Sequence, residues 1–378
     1  MHTRDTDPGA IGIERAPPGP LGAAVLRRWR QLQEGADSDE ALYQSPEFFE
    51  FLRASGAGRA ELCHAIGSFE GALVGLLPLR LRTVELAFRV GAHEWGALDL
   101  PCIEVLGSVP LLPAASLAPE RWVPGLFAAY PACQAISLPA LPAASALHAI
   151  LQDSAWLRRH HRRYLAHDWR ACHRIVLPAS YAAYQQQFNP KRRYNLNRQL
   201  RQLREHAGGA LNLHRIEDTQ QLPRLCAALA QLASPAHRAE LLSDASLQAF
   251  AERGLLHSYV LECRGQACAL MLGARAQRVL HLYNIFHDGA LAALSPGTSI
   301  LQLAIQELCE GGEVAAIDFG YGTPAHSYQS SNITLQRGHL LILRAGWRSA
   351  TACALHQGYG QLLAVAKRWR RPLLAYFT

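Results

Sequence analysis

The residue types best suited to chemistry occur in the segment IDFGYGTPAHSYQSS, residues 317–331. Asp318 closes a short apolar run, and His326 and Tyr328 follow in a glycine-rich loop. A carboxylate or an imidazole that titrates near neutrality can deprotonate an amine, and a tyrosine hydroxyl can protonate a leaving group. We therefore predict Asp318, His326 and Tyr328 to be catalytic. The structural alternatives are a turn or helix cap for Asp318 and a half-buried core ring for Tyr328.

The elements around this segment predict an α/β arrangement. VAAIDFG, residues 314–320, is a short apolar stretch typical of a central strand covered on both faces. Its carboxyl end, where the loop begins, is the usual place for a site. Before it, Ser295-Pro296 predicts a helix start and Gly311-Gly312 the helix end.

The start of that helix, with Pro296, Gly297, Thr298 and Ser299, is a candidate phosphate site. Backbone N–H groups at a helix start can bind phosphate, and a glycine allows close approach of the backbone. A Pro-Gly helix start without a ligand is the alternative interpretation.

A basic helix is predicted over FNPKRRYNLNRQLRQLREHAGG, residues 188–209, with Asn189 as N-cap and Gly208-Gly209 at its end. Its apolar stripe is Leu196, Leu200 and Leu203, and its candidate substrate-binding cations are Lys191, Arg192, Arg193 and Arg198. Cations in a first helical turn are disfavoured by about 0.3–1 kcal/mol each. Either these side chains meet an anion, or they form a solvated face.

Another alternating polar set lies in HLYNIFHD, where His281, Tyr283 and His287 fall on one face of a predicted strand. The set either serves the substrate, for which Tyr283 is the candidate, or marks an outward-facing strand edge.

Composition indicates a globular protein of about two domains in 378 residues, with 49% hydrophobic and 18% charged residues. Of the net charge of +7, residues 151–210 supply a surplus of nine, from twelve Arg or Lys against three acidic residues, which leaves −2 elsewhere. Such a surplus attracts the phosphates of a nucleotide cofactor or RNA, or an acidic carrier protein. Within it, the run RRHHRR at 158–163 either belongs to a site or is a solvated linker.

The nine cysteines include no CxxC pair, so we predict reduced thiols and no metal site. No apolar run approaches the length of about 20 residues needed to span a bilayer, and the first residues lack a signal-peptide core. We therefore expect a cytoplasmic protein without a transmembrane segment.

Along the chain, residues 1–20 are predicted to be loose, and helices are predicted at 21–35 and from Ser45-Pro46. Residues 61–91 indicate an antiparallel meander with a break near Arg82. A second meander, residues 256–286, has turns at CRGQ and ARAQ. The turn residues Gly71 and Gly265 lie 194 positions apart, which suggests an internal duplication.

This order, with the motifs YQSPEFF, GALVGLLPLR, NPKRRYNLNRQLRQL, LSPG and IDFGYG, resembles the tandem-domain branch of the GNAT acyltransferase superfamily, the CelD-type and FemAB-like proteins. The resemblance spans about residues 20–345. It implies an α/β (α+β) fold of two GNAT-like domains in tandem, each with a mixed, mostly antiparallel central sheet flanked by helices. The corresponding ranges are 1–20 (loose), 21–165 and 166–345 (domains, the second with the donor and catalytic site), and 346–378 (helical).

The resemblance also implies that an acyl-CoA or acyl-carrier-protein donor binds at the 296–299 helix start and that no metal is needed. It further implies a substrate groove between the domains, beside the basic helix at 188–209. One departure concerns the loop, where Gln329 follows Tyr328 although the family has a Tyr-Lys pair in a loop about two residues shorter. His326 could compensate as the base.

Three functions remain open on this basis. The first is an N-acyltransferase that moves an acyl group from a CoA or carrier-protein thioester to a small-molecule amine. The second is a FemAB-like aminoacyltransferase that uses charged tRNA, and the third is a catalytically silent scaffold in a biosynthetic pathway. None of the three calls for DNA.

Overall fold

A computed structural model describes residues 11–34, 41–55, 59–67, 71–90, 93–166, 168–234, 243–320, 330–346, 351 and 353–360. The chain forms two compact units that are each discontinuous in sequence. Unit 1 comprises Met1–Ser38, Gly56–Trp169 and Arg337–Thr378, and unit 2 comprises Asp39–Ser55 and Arg170–Gln336. The contiguous domain ranges 21–165 and 166–345 stay a prediction.

Unit 1 contains mixed parallel and antiparallel strands and several helices, and residues 353–360 are also helical. Its strands are β1 (Ile11–Arg15), β2 (Arg59–Gly67), β3 (Leu73–Val90), β4 (His93–Val105), β5 (Ala135–Pro142), β6 (His161–Leu165) and the part of β13 (Ile333–Arg344) from Arg337 onward. Its helices are α1 (Ala23–Glu34), α3 (Pro119–Ala129), α4 (Ala146–Asp153) and α5 (Ala155–His160). Strands β1 to β4 pair antiparallel in order, β4 pairs parallel with β5, and β13 pairs antiparallel with both β5 and β6.

Two predictions for unit 1 are wrong. Residues 11–15 are not loose, because they form β1 and Ile11 and Ile13 pack on the core. Ile13 packs so closely on Gly125 that a Cβ at Gly125 would lie 2.6 Å from the Ile13 Cβ. The meander has no break near Arg82, since β3 continues to Val90 while the Arg82 guanidinium pairs with Glu104 on β4.

Unit 2 has its own set of paired strands. Its strands are β7 (Arg170–Val176), β8 (Leu211–Ile216), β9 (Ser258–Cys263), β10 (Gln266–Ala276), β11 (Val279–His287) and β12 (Ala316–Asp318). Its helices are α2 (Pro46–Ser55), α6 (Tyr181–Gln186), α7 (Pro190–Ala207), α8 (Leu222–Leu232), α9 (Asp244–Glu252) and α10 (Pro296–Gly311). The strands pair in the order β7-β12-β11-β10-β9-β8, and only the β11–β12 pair is parallel.

The two units repeat one plan. In each, three antiparallel strands lead into a helix, α3 or α10, and then into a strand parallel to the last strand of the meander. Gly71 and Gly265 both turn the chain between the first two strands with positive φ, at 63° and 79°. The predicted tandem α/β fold, with mostly antiparallel sheets flanked by helices, is therefore present.

Local sequence signals position the elements of unit 2. The Asn189 side chain accepts a hydrogen bond from Arg192 N at 2.9 Å, and α7 ends at Gly208 in the left-handed region. Its buried residues include the predicted stripe, Leu196, Leu200 and Leu203. Helix α10 likewise begins at Pro296 and ends before Gly312, as predicted.

Candidate active site

The start of α10 has no side-chain cap and presents one outward backbone donor. Ser295 precedes the helix in the left-handed region, with φ of 53°, and its hydroxyl accepts from Gln199 Nε2 at 3.1 Å. The N–H groups of Thr298 and Ser299 turn inward to Ser295 O. Pro296 has no N–H, so Gly297 carries the first backbone donor, which precedes the intrahelical bonds and can donate outward.

The side chains at this helix start fit a phosphate. The Ser299 hydroxyl is buried, and its Oγ has no hydrogen-bond partner among the described residues. A Cβ at Gly297 would lie 3.5 Å from His287 Nδ1 and 3.5 Å from Ile285 Cγ2, which is ordinary contact. The space beside Gly297 is therefore bordered by His287 and Ile285 without a clash, and an orphaned hydroxyl lies one half-turn further on.

The basic helix α7 packs against α10 through two hydrogen bonds. One is the Gln199–Ser295 bond, and the other is donated by Gln302 Nε2 to Leu196 O at 3.4 Å. These bonds fix the basic helix beside the candidate phosphate site. The packing follows from the buried leucine stripe, which leaves the cations on the outer faces.

Few of the α7 cations are neutralised. Arg201 lies 3.7 Å from Glu205. The Arg192 guanidinium lies over the Phe188 ring, 5.0 Å from its centroid. For Lys191, Arg193 and Arg198, no carboxylate within the described ranges comes within 4.0 Å. The first turns of α7 therefore present positive charge that the described side chains do not compensate.

Asp318 ends β12 in a buried position, 1% exposed. Its Oδ1 accepts from Gly320 N at 2.7 Å, so the turn-cap interpretation is correct for this oxygen. In the parallel register Asp318 is the partner of His281 on β11, so the two side chains project from the same face of the sheet. A carboxylate and an imidazole thus lie side by side at the carboxyl end of a central strand.

Beyond this pair the two strands part, because β12 ends at Asp318 while β11 continues to His287. His281 is buried, 4% exposed, and β11 is paired on both sides at this position, so the strand-edge interpretation is wrong for it. Tyr283 is 36% exposed, on the part of β11 that lies beyond β12.

The sequence did not single out Tyr43. Its ring meets the His281 imidazole edge-on, with centroids 5.5 Å apart. It precedes α2, whose Ser45 hydroxyl caps the helix at Phe48 N, 3.1 Å away. The motif YQSPEFF predicted the helix start, but the contact spans more than two hundred residues and has no local signal.

Two predicted catalytic residues, His326 and Tyr328, lie outside the described residues, as does all of 321–329. Among the described residues, no three His, Cys, Asp or Glu side chains are grouped to hold a metal ion, and no helix is long and apolar enough to cross a membrane. The predicted 346–378 segment is described only at 346, 351 and 353–360.

Comparison with known proteins bears on this geometry. Residues 190–329 match the family model of the acetyltransferase (GNAT) domain. This range begins at α7 and contains the start of α10, His281 and Asp318. No curated protein matches the sequence significantly.

Solved structures share the fold at low identity. FemX aligns with a TM-score of 0.56 and 9% identity, over 87% of this chain and 97% of FemX. The C-terminal DUF2156 domain of a candidate lysylphosphatidylglycerol synthetase from Agrobacterium fabrum aligns with a TM-score of 0.52 and 12% identity, over 89% and 96% of the two chains. A conserved protein of unknown function from Bacteroides thetaiotaomicron gives 0.50 and 10%, over 84% and 97%.

These likenesses concern nearly the whole chain, whereas the family model covers unit 2 alone. The repeated plan of the two units adds the tandem character. Residues 190–329 therefore match the acetyltransferase (GNAT) domain, and nearly the whole chain shares the fold of FemX and of the DUF2156 domain.

Proposed function

We propose that the protein is an N-acyltransferase that moves an acyl group from a CoA or acyl-carrier-protein thioester to a small-molecule amine. The observation that carries this proposal is the uncapped start of α10, which follows β11 at the place where β11 and β12 part. A thioester donor brings a pyrophosphate or phosphodiester, and this helix start offers the Gly297 N–H and the Ser299 hydroxyl for it.

The two units differ in how well the start of the equivalent helix can bind a phosphate. In unit 1 the equivalent helix, α3, carries Glu120 in its first turn. A carboxylate there would compete with a phosphate for the N–H groups and repel it. In unit 2 the corresponding positions are Gly297, Thr298 and Ser299, without an acidic residue in the first turn. We therefore assign the donor, with Pro296 to Ser299, to unit 2.

The uncompensated cations of α7 give the donor's remaining phosphates, or the acidic surface of a carrier protein, a place to bind. Lys191, Arg192, Arg193 and Arg198 stand on a helix that is bonded to the start of α10 through Gln199. A cluster of this kind raises the rate of association with an anion, and added salt reduces this effect by screening the charges.

The chemistry follows from the Asp318–His281 pair. The acceptor nitrogen attacks the thioester carbonyl and loses a proton to this pair. The C–S bond of the resulting tetrahedral intermediate then breaks. The departing thiolate takes a proton, for which Tyr328 is the proposed donor, while His326 remains a second candidate base. Tyr283, on the part of β11 that extends beyond β12, is the proposed acceptor contact. A cytoplasmic location, where CoA thioesters occur, remains a prediction.

The test is release of thiol from acetyl-CoA and from a long-chain acyl-CoA in the presence of an amine panel. Asp318→Asn keeps the turn cap but removes the charge, so we expect kcat to fall by about 10²–10⁴-fold. Asp288→Asn is the matched control, because Asp288 also caps a turn, with Oδ1 accepting from Ala290 N at 2.9 Å. Equal activity of the two variants would contradict the assignment of Asp318.

A tRNA-dependent aminoacyltransferase is the second candidate, and the basic face of α7 is the observation that favours it. Charged tRNA as donor would make binding fall steeply with salt, by orders of magnitude when several phosphates are neutralised. Product formation from aminoacyl-tRNA, with no thiol released from any acyl-CoA, would establish this candidate in place of the first.

A further inference from the structure

The run RRHHRR, residues 158–163, has no part in the proposed reaction, yet it supplies half of the residues that line one pocket in unit 1. The pocket has a volume of about 450 Å³. Two leucines and six polar or aromatic side chains line it, and none of them is acidic. The six are Arg158, Arg162, Arg163, His148, His161 and Trp169.

The arginines of the pocket are held by the end of helix α4. Arg158 Nη1 donates to Gln152 O at 3.0 Å and to Asp153 O at 3.1 Å, and Arg163 Nη1 donates to Leu151 O at 3.0 Å. Carbonyls at the end of a helix carry partial negative charge and lack intrahelical donors, so they suit cations. Two guanidinium groups are therefore oriented before any ligand arrives.

Most of the donors of these two groups remain available. A guanidinium has five N–H groups, and the bonds to α4 use only Nη1 of each. Neither Arg158 nor Arg163 lies within ion-pair distance of a carboxylate in the part of the chain that the structure describes. Arginine forks of this kind match the oxygen geometry of phosphate.

The aromatic wall is fixed by packing. The Trp169 ring meets the His148 ring edge-on, with centroids 4.9 Å apart. It also lies against Gly338, where a Cβ would come within 2.8 Å of two ring carbons and of Leu165 Cδ1. Only a glycine leaves room for the indole at this position, so the pocket has one rigid apolar side.

The two imidazoles add hydrogen-bond acceptors. His148 Nδ1 lies 2.8 Å from Ala143 O, and His161 Nδ1 lies 3.2 Å from Leu343 O. A neutral ring that donates from Nδ1 to a carbonyl presents Nε2 as an acceptor. Cations, acceptors and an indole together suit a ligand that has an anionic group, hydroxyl groups and an apolar face.

We propose that this pocket binds a small phosphate ester, with the phosphate on Arg158 and Arg163 and the hydroxyls toward the imidazoles. Its volume lies in the range of small-molecule sites, about 300–1,000 Å³. The site belongs to unit 1 and does not depend on the donor site proposed at α10.

The test is calorimetric titration of the full chain with glucose 6-phosphate, inorganic phosphate and glucose at constant ionic strength. Gly297→Glu serves as the background, because it removes phosphate binding at the start of α10. We expect glucose 6-phosphate to bind more tightly than phosphate, and glucose not to bind. Arg158→Gln should raise the Kd by about tenfold or more, since it removes charge-assisted hydrogen bonds.

The control is Arg159→Gln, which removes the same charge from an exposed neighbour that does not line the pocket. It should leave the Kd within about twofold. Arg163→Lys, which keeps the charge but loses the fork, should also weaken binding while the melting temperature stays unchanged. Equal losses for Arg158→Gln and Arg159→Gln would overturn the proposal. So would a Kd for both phosphate probes above about 10 mM, or binding seen only with phosphatidic acid vesicles.

Discussion

The substitution Gly297→Glu separates the stability of α10 from its binding of a donor, and the structure predicts opposite signs for the two effects. A Cβ at this position meets His287 and Ile285 at 3.5 Å, which requires no rearrangement. Replacing a helical glycine stabilises by about 0.5–1 kcal/mol, and an acidic side chain in the first turn adds about 0.3–1 kcal/mol. The unliganded variant should therefore melt about 2–8 °C above the wild type, at roughly 2–4 °C per kcal/mol.

Donor binding should be lost in the same variant, because the new carboxylate occupies the place of a phosphate. For the wild type, acetyl-CoA at 100 times its Kd stabilises by about 2.7 kcal/mol, or about 5–10 °C. Thermal-shift titrations should show this rise for the wild type and none for Gly297→Glu. The control Gly311→Glu adds the same charge at the other end of α10, where a Cβ meets only the Glu313 side chain at 3.7 Å, and should keep the ligand shift. A ligand shift that persists in Gly297→Glu would refute the placement of the donor, and a lower melting point without ligand would refute the steric argument.

Three further predictions concern stability and reactivity. Glu104 is 5% exposed and pairs with two arginines, so Glu104→Gln should lower the free energy of unfolding of unit 1 by about 2–3 kcal/mol. Its partner Arg82 is 45% exposed, so Arg82→Gln should cost under about 1 kcal/mol. Chemical denaturation measures both. His257, whose Nδ1 lies 2.7 Å from Glu217 Oε1, holds the pKa of Glu217 below its ordinary value of 4.5. A lowered carboxyl pKa stabilises the fold above that value. The melting-temperature difference between wild type and Glu217→Gln should therefore be constant from neutral pH to about 5 and shrink below about 4.5. Eight of the nine thiols are buried, so native alkylation at pH 8 followed by mass spectrometry should modify Cys226 alone, and modification of any other cysteine would contradict the packing.

The parts of the fold that were predictable are those with local causes. Asn189 and Pro190 specify the start of α7 through one cap and one fixed φ, and the CRGQ turn bends the chain at Arg264 and Gly265, both with positive φ. The sequence also predicted Asp318 at the end of a buried central strand, because a wholly apolar run needs no partner to be recognised.

The parts that were not predictable depend on distant residues. Tyr43 meets His281 only after α2 joins unit 2, and no pattern near either residue signals it. The sequence does not predict the pocket that the RRHHRR run helps to form. Arg158 and Arg163 are held by backbone carbonyls of α4, and every residue type has such a carbonyl. Roles for His326 and Tyr328 stay predictions.

Because each unit is discontinuous in sequence, its folding must wait for segments that the ribosome synthesises late. Helix α2 emerges early, but Phe48 and Phe51 pack against Phe250, which is translated about two hundred residues later. Strand β5 must likewise wait for β13 before its hydrogen bonds on that side can form. Neither unit can therefore close while the chain is growing through its first two thirds, and exposed aromatic and strand-edge surface persists until Arg344 has left the exit tunnel. Chaperone dependence during expression, and insolubility of a fragment cut at residues 190–329, are the expected consequences.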